Sequence, residues 1–282
     1  MKETNGVIPI YKEKGMTSFD VVKEIKKVFK TNKVGHTGTL DPLAEGVLLV
    51  CIGKATKIVE LLTANEKEYI AKVKLGIETD TLDIEGEVLK EEKVNNINLK
   101  ETINSYKNKT YLQEVPKYSA IKVNGKKLYE YARENIEVEL PKKEVTIKEI
   151  ELIEEKENEF IFKTLVTKGT YIRSLIRDIC HDMGTIGTMT ELLRTKQGNI
   201  KLEECFKLND IKNNNYKIYS IDEVLNYKKI EVDEETYKKI SNGVKIPNNY
   251  DIVDKVIFTY NNDLLGIYKK DNDILKVWKN FI

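Results

Sequence analysis

The run GVLLVCIG, residues 46–53, does most to restrict the fold of this chain. Six consecutive apolar residues, Val47 to Ile52, stand between two glycines. A membrane-spanning helix needs about 20 apolar residues, so the run is too short to be one, and its length and flanks suit a strand buried in a sheet. Thr17–Lys30 reads as a helix: Thr17 and Asp20 are spaced as a capping box, and Phe19, Val22, Ile25 and Phe29 share a face. Tyr69, Ala71, Val73 and Leu75 alternate with Ile70, Lys72 and Lys74, a strand pattern. Thr56–Leu62 and Asn98–Lys107 read as short helices, Val145–Ile153 and Phe160–Val166 as strands. Asn124-Gly125, between SAIKV and KKLY, is a hairpin signal. Tyr171–Met183 is an amphipathic helix, with Thr170 expected as N-cap and Gly184 just past its end.

These elements predict an α+β chain with a mixed, mostly antiparallel sheet. The C-terminal stretch differs. Asn213–Tyr216 reads as a polar linker, and from about Ile230 short strands recur as VIFTY, LLGIY and ILKVW. With 282 residues, one large domain and one small β-domain are expected, at 1–228 and 229–282.

Charged residues make up 33% of the chain, yet the net charge is only +1. Any case for nucleic-acid binding must therefore rest on local patches. Lys23, Lys26, Lys27, Lys30 and Lys33 form one; Lys117, Lys122, Lys126, Lys127 and Arg133 form another. Residues 78–92 are strongly acidic. Cys51, Cys180 and Cys205 make no CxxC pair, and with only His36 and His181 a His/Cys zinc site is not expected. No apolar leader or membrane span is visible, so a cytoplasmic, reduced, soluble protein is the expectation.

Nucleotide motifs fail. Gly53-Lys54 is followed by Ala55, with Leu48 where a phosphate loop needs glycine, and GxGxxG is absent. The stretch GHTGTLDP, residues 35–42, remains. Pro42 pushes Asp41 toward extended geometry, and the neighbouring glycines permit tight turns. Such an aspartate either caps a turn or stands as a nucleophile or base at a cleft floor; the residues alone leave both open.

Four blocks resemble the TruB-type tRNA pseudouridine synthases, which act on uridine 55 of the T-loop: GHTGTLDPLAEGVLLVCIGKATK, KEYIAKVKLGIETDTLDIEG, QEVPKYSAIKVNGKKLYEYARE and TKGTYIRSLIRDIC. The order is the family's and the resemblance covers nearly the whole chain. It implies a pseudouridine synthase fold with a C-terminal PUA-like domain, for which KKISNGVKI is the opening motif. It makes Asp41 the catalytic aspartate, Arg173 its partner, and Tyr69 the aromatic against the target base. His36 would fill the space left in the T-loop, and Tyr171 and Leu192 would line the base pocket. An insertion at about 117–145 would grip the RNA. Partners would be the T-arm and acceptor side of tRNA, bound by a monomer; neither cofactor nor metal is implied. The sequence departs from the family where Glu13 follows Lys12 in place of proline, where Leu193 precedes Arg194 in place of arginine, and at Val115-Pro116 in place of a double proline.

The chemistry fits these residue types. Isomerisation breaks the C1′–N1 bond, turns the uracil and rejoins it through C5, with no redox change. A carboxylate can attack the ribose or the ring, or stabilise positive charge on the sugar. It must be ionised, and an adjacent arginine favours that form through a hydrogen bond worth roughly 1.5–3 kcal/mol. Everting the base costs a few kcal/mol, which stacking on Tyr69 and filling by His36 would offset. The rival class is a non-catalytic RNA-binding module on the same scaffold; a second rival is a synthase acting on another RNA.

Overall fold

The computed structural model describes residues 4–95 and 97–282. Its larger part contains β1 (Gly6–Lys12), α1 (Ser18–Phe29), β2 (Glu45–Ile52), β3 (Lys67–Leu75), α2 (Leu99–Ser105), β4 (Lys109–Glu114), α3 (Leu128–Arg133), β5 (Lys142–Lys156), β6 (Glu159–Val166), α4 (Ile172–Asp182) and β7 (Gly187–Gln197). The strands form one sheet in the order β1-β2-β7-β3-β6-β5-β4. Short strands Val34–His36 and Ile200–Lys201 add to β2 and β7. Along this order only β2 and β7 run parallel, with Arg194 opposite Gly46. This is the mixed, mostly antiparallel sheet that the sequence predicts.

The all-apolar β2 sits where both faces are covered. Val47, Leu49 and Cys51 enter one cluster with Ala55, Ile58 and Leu62; Leu48, Val50 and Ile52 enter another with Val21 and Ile25 of α1. Successive strand side chains point to opposite faces, so a run apolar at every position needs packing on both. The half-buried β3 instead alternates: Tyr69, Ala71, Val73 and Leu75 face Ile172, Leu175, Ile176 and Ile179 of α4 in the largest cluster. Burying such a side chain contributes about 1.5–3 kcal/mol.

Helix ends follow the sequence in part. Thr17 and Asp20 form the expected capping box on α1. The expected N-cap of α4, Thr170, is displaced by Tyr171, and Thr170 Oγ1 donates back to the Thr167 carbonyl. Tyr171 has no side-chain oxygen placed to cap. The buried Gln113 of β4 serves instead, accepting from the Tyr171 N–H at 2.8 Å, a long-range cap that local spacing does not reveal. Asn124 and Gly125 both have positive φ, 50° and 82°, as a tight hairpin turn between Lys122–Val123 and Lys126–Lys127 requires. The insertion expected to reach residue 145 ends sooner, because Lys142 onward belongs to β5.

The C-terminal part contains β8 (Lys228–Glu231), α5 (Glu234–Ser241), β9 (Ile246–Pro247), β10 (Lys255–Tyr260), β11 (Asp263–Asp271) and β12 (Ile274–Asn280), in the sheet order β8-β10-β11-β12-β9. Helix α5, capped by Asp233 on the Thr236 N–H, lies within a segment expected to be β only. Asn213–Tyr216 is no free linker: the Tyr216 ring packs edge-on against Phe29, and Tyr219 exchanges two 2.8 Å backbone hydrogen bonds with Val7. The small sheet is also not independent. Ile257, Ile267 and Phe281 share a cluster with Val47 and Leu49, and Lys57 Nζ donates to the Asn280 carbonyl at 2.6 Å. Among the described residues, no helix is long and apolar enough to cross a membrane.

Candidate active site

Residues 37–44 form a loop leading into β2, and three elements hold it. The Ser18 hydroxyl, at the start of α1, accepts from the Leu40 N–H at 2.9 Å and donates to the Leu40 carbonyl at 3.1 Å. From β1, Lys12 Nζ donates to the Ala44 carbonyl at 2.6 Å. Burial pushes this ammonium down to about 8, and the charge of Asp41 acts the other way. From β7, Arg194 Nη2 donates to the Gly38 carbonyl at 3.1 Å. Leu40, Leu43 and Ala44 fill the core beneath. Gly46 is required where the loop enters β2: its φ is 106°, and an added Cβ would lie 2.3 Å from the Arg194 carbonyl oxygen.

Asp41 rises from this loop beside the first turn of α4. Arg173 Nη2 stands 2.9 Å from Asp41 Oδ2. The guanidinium is buried and the carboxylate partly open. Arg173 also donates to the Thr81 carbonyl at 2.7 Å and to the Tyr118 carbonyl at 3.1 Å, and Asp83 Oδ2 lies 3.7 Å from its Nη1. A cation near a helix N-terminus opposes the helix dipole; here two carboxylates and two carbonyls surround it. Burial, the largest influence, raises the Asp83 carboxyl, against a hydrogen bond from Thr81 and the charge of Arg173.

These side chains border a cavity of about 290 Å³ whose lining includes Asp41, Tyr69, Tyr171, Arg173, Leu192 and Arg194. Five of the six residues expected at the site thus meet at one cleft. Tyr69 and Leu192 come from adjacent strands β3 and β7, buried apart from an edge toward the cavity. Burial also raises the Tyr171 phenol. The sixth, His36, does not line the cavity. It sits on the short strand beside β2, two residues before Gly38, with Nδ1 buried and unpartnered. Burial, aided by the Arg194 charge, lowers its pKa.

Sequence reasoning assigned no role to Asp83, Arg194 or Lys67. Asp83 was hidden among seven acids in residues 78–92. Lys67 lines the same cavity yet is buried, its Nζ donating to the carbonyls of Thr63 and Asn65 at 2.6 and 2.7 Å. Burial, with Arg194 nearby, pushes it down to about 8. A lysine at an inward position of the alternating β3 was the available signal for Lys67, whereas β7 does not alternate and gave none for Arg194.

The fold and site define a protein that holds one carboxylate, steadied by arginine, at the bottom of a small aromatic cleft. Comparison with known proteins agrees. Residues 26–172 match the model of the TruB family pseudouridylate synthase N-terminal domain. The tRNA pseudouridine synthase B of Clostridium tetani is 45% identical over 276 residues, spanning 96% of this chain and 94% of the relative. That of Fusobacterium nucleatum is 43% identical over 288 residues, spanning 98% and 99%. Among solved structures, a chain in an H/ACA ribonucleoprotein bound to a substrate RNA containing 2′-deoxyuridine superposes with a TM-score of 0.73 at 23% identity, over 98% of this chain and 85% of the other. The chain belongs to the TruB family of pseudouridylate synthases.

Proposed function

We propose that this protein isomerises uridine 55 in the T-loop of tRNA to pseudouridine. The observation that carries the reading is the Asp41–Arg173 pair at 2.9 Å, open to a cleft walled by Tyr69, Tyr171 and Leu192. The cleft is small for a drug-sized ligand and suits a single everted nucleoside. Family membership and two relatives named for tRNA support the substrate class.

In this reading, tRNA binding everts the uridine, Tyr69 stacks on the uracil, and Tyr171 and Leu192 close around it. His36, on the short strand that leads into the Asp41 loop, enters the space left in the T-loop. Asp41, held by Arg173 at 2.9 Å, acts on C1′ or on the ring. The C1′–N1 bond breaks, the uracil turns within the cleft, and C1′ joins C5. The C5 hydrogen leaves as a proton and N1 ends protonated, so the product is an isomer. Residues 1–228 perform the catalysis, and the hairpin with α3 grips the RNA. Residues 229–282, a PUA-like unit, contact the acceptor side. The protein works as a cytoplasmic monomer.

The position is tested by treating a tRNA transcript with the protein and mapping pseudouridine by carbodiimide adducts that stop primer extension. The expected result is one stop, at position 55, lost when that uridine is replaced by cytidine. Stops at other uridines only, or none, would contradict the reading.

A further inference from the structure

Arg194 is 1% exposed, and among the described residues no carboxylate lies within ion-pair distance of it. A buried cation without a counter-ion is costly, so its retention asks for a reason. Its three contacts supply one. Nε donates to the Val47 carbonyl at 2.6 Å, Nη2 to the Gly38 carbonyl at 3.1 Å, and Nη1 faces the Tyr69 hydroxyl at 3.5 Å. The first two anchors, one on the sheet and one on the loop bearing Asp41, fix the plane of the fork. The third arm is then held against the phenol. Register gives the same result: Arg194 lies opposite Tyr69 on β3 and opposite Gly46 on β2.

We propose that Arg194 is a positioning residue that acts through the Tyr69 hydroxyl. The guanidinium lies against one side of the phenol oxygen, 3.5 Å away, and leaves the other side and the phenol's own proton for the nucleoside. Among the described residues no acid lies within ion-pair distance of its charge, which acts on the cleft through the Tyr69 hydroxyl beside it. Lysine in its place would keep the charge and lose the fork geometry. The proposal rests on the isomerase reading above; without an everted nucleoside against Tyr69 it has no object.

The test is a double-mutant cycle on single-turnover tritium release from a T-stem-loop carrying 5-tritiated uridine, with RNA affinity measured by filter binding. Arg194→Met should slow release by about 100-fold, the scale of losing one preorganised donor. RNA affinity should stay within about threefold, because the residue is buried away from the RNA backbone. Arg194→Lys should recover about tenfold of the loss. In a Tyr69→Phe background, Arg194→Met should cost less than about threefold further, because the group it acts on is gone. The same factor in both backgrounds would mean that Arg194 only holds the loop, and would overturn the proposal; so would a fully active Arg194→Met. Should Arg194→Met fail to give the native circular dichroism spectrum, Arg194→Lys carries the same cycle. Wild-type protein that binds the RNA but releases no tritium would refute the isomerase reading itself, and the proposal with it; an active wild type with an additive cycle would refute the proposal alone.

Discussion

Arg173 Nη2 lies 2.9 Å from Asp41 Oδ2, with the guanidinium side chain 5% exposed and the carboxylate 37% exposed. The pair is therefore one-sided. Arginine is embedded in carbonyls that fix it, and the aspartate presents its free edge to the cleft. Because the acid is partly solvated, the contact contributes modestly to stability. In the proposed reaction its effect falls on catalysis, where a fixed guanidinium sets the angle at which the carboxylate meets the substrate.

Replacing Arg173 by lysine keeps the charge but cannot reach Asp41 and the carbonyls of Thr81 and Tyr118 together. Single-turnover tritium release should fall by about 100-fold or more, with T-stem-loop affinity nearly unchanged. A rate within a few-fold of wild type would show that the fork geometry is dispensable.

Gly46→Ala should be damaging without touching substrate. The added Cβ would meet the Arg194 carbonyl and amide at 2.3 and 2.9 Å, both backbone atoms on β7, at a φ of 106°. Urea denaturation should show a loss of about 1–3 kcal/mol, and the remaining folded protein should turn over slowly because the Asp41 loop has shifted.

The depressed pKa of His36 makes stability depend on acid. Burial, then the Arg194 charge, favours the neutral imidazole in the folded state, while the unfolded chain takes up its proton near 6.5. Below that value the unfolded state binds more protons, so stability present at neutral pH is lost as pH falls toward the folded-state value. The thermal midpoint of wild type should drop more between pH 7.5 and 5.5 than that of His36→Leu. Parallel curves would contradict this.

RNA contact by the hairpin is testable through salt. Lys117 and Lys122 are exposed and carry no ion-pair partner among the described residues, whereas Lys126 is paired with Glu134. Lys117→Gln and Lys122→Gln should each flatten the plot of log affinity against log salt by about 0.7–0.9, and Lys126→Gln by less. Their single-turnover rates at saturating RNA should match wild type.

The sequence was most legible where one element decides its own form. The apolar run of β2, the capped α1 and the stripe of α4 appear within a residue or two of where periodicity puts them. β1 carries no clear strand signal because GVIPIYK has Pro9 in its middle, which is tolerated here because the strand lies at the end of the sheet order. β7 carries no clear strand signal because Arg194 and Thr195 break its apolar pattern, and the reason for an arginine there is the carbonyls of Val47 and Gly38, about 150 residues away. The cap on Tyr171 is likewise long-range, from Gln113. Asp41 stands out by its setting between glycines and proline, but the residues alone leave turn-capping and reactive roles open; the family resemblance favours the second, and the contact with Arg173 is what that reading requires.

The most direct measurement compares wild type with Asp41→Asn, a nearly isosteric change that removes the charge. Both are incubated in excess over T-stem-loop RNA bearing 5-tritiated uridine, and bound RNA and released tritium are followed together. The account predicts that both proteins bind, that wild type releases the label to completion, and that Asp41→Asn releases none. Release by Asp41→Asn at the wild-type rate would remove this carboxylate from the mechanism and contradict the central claim.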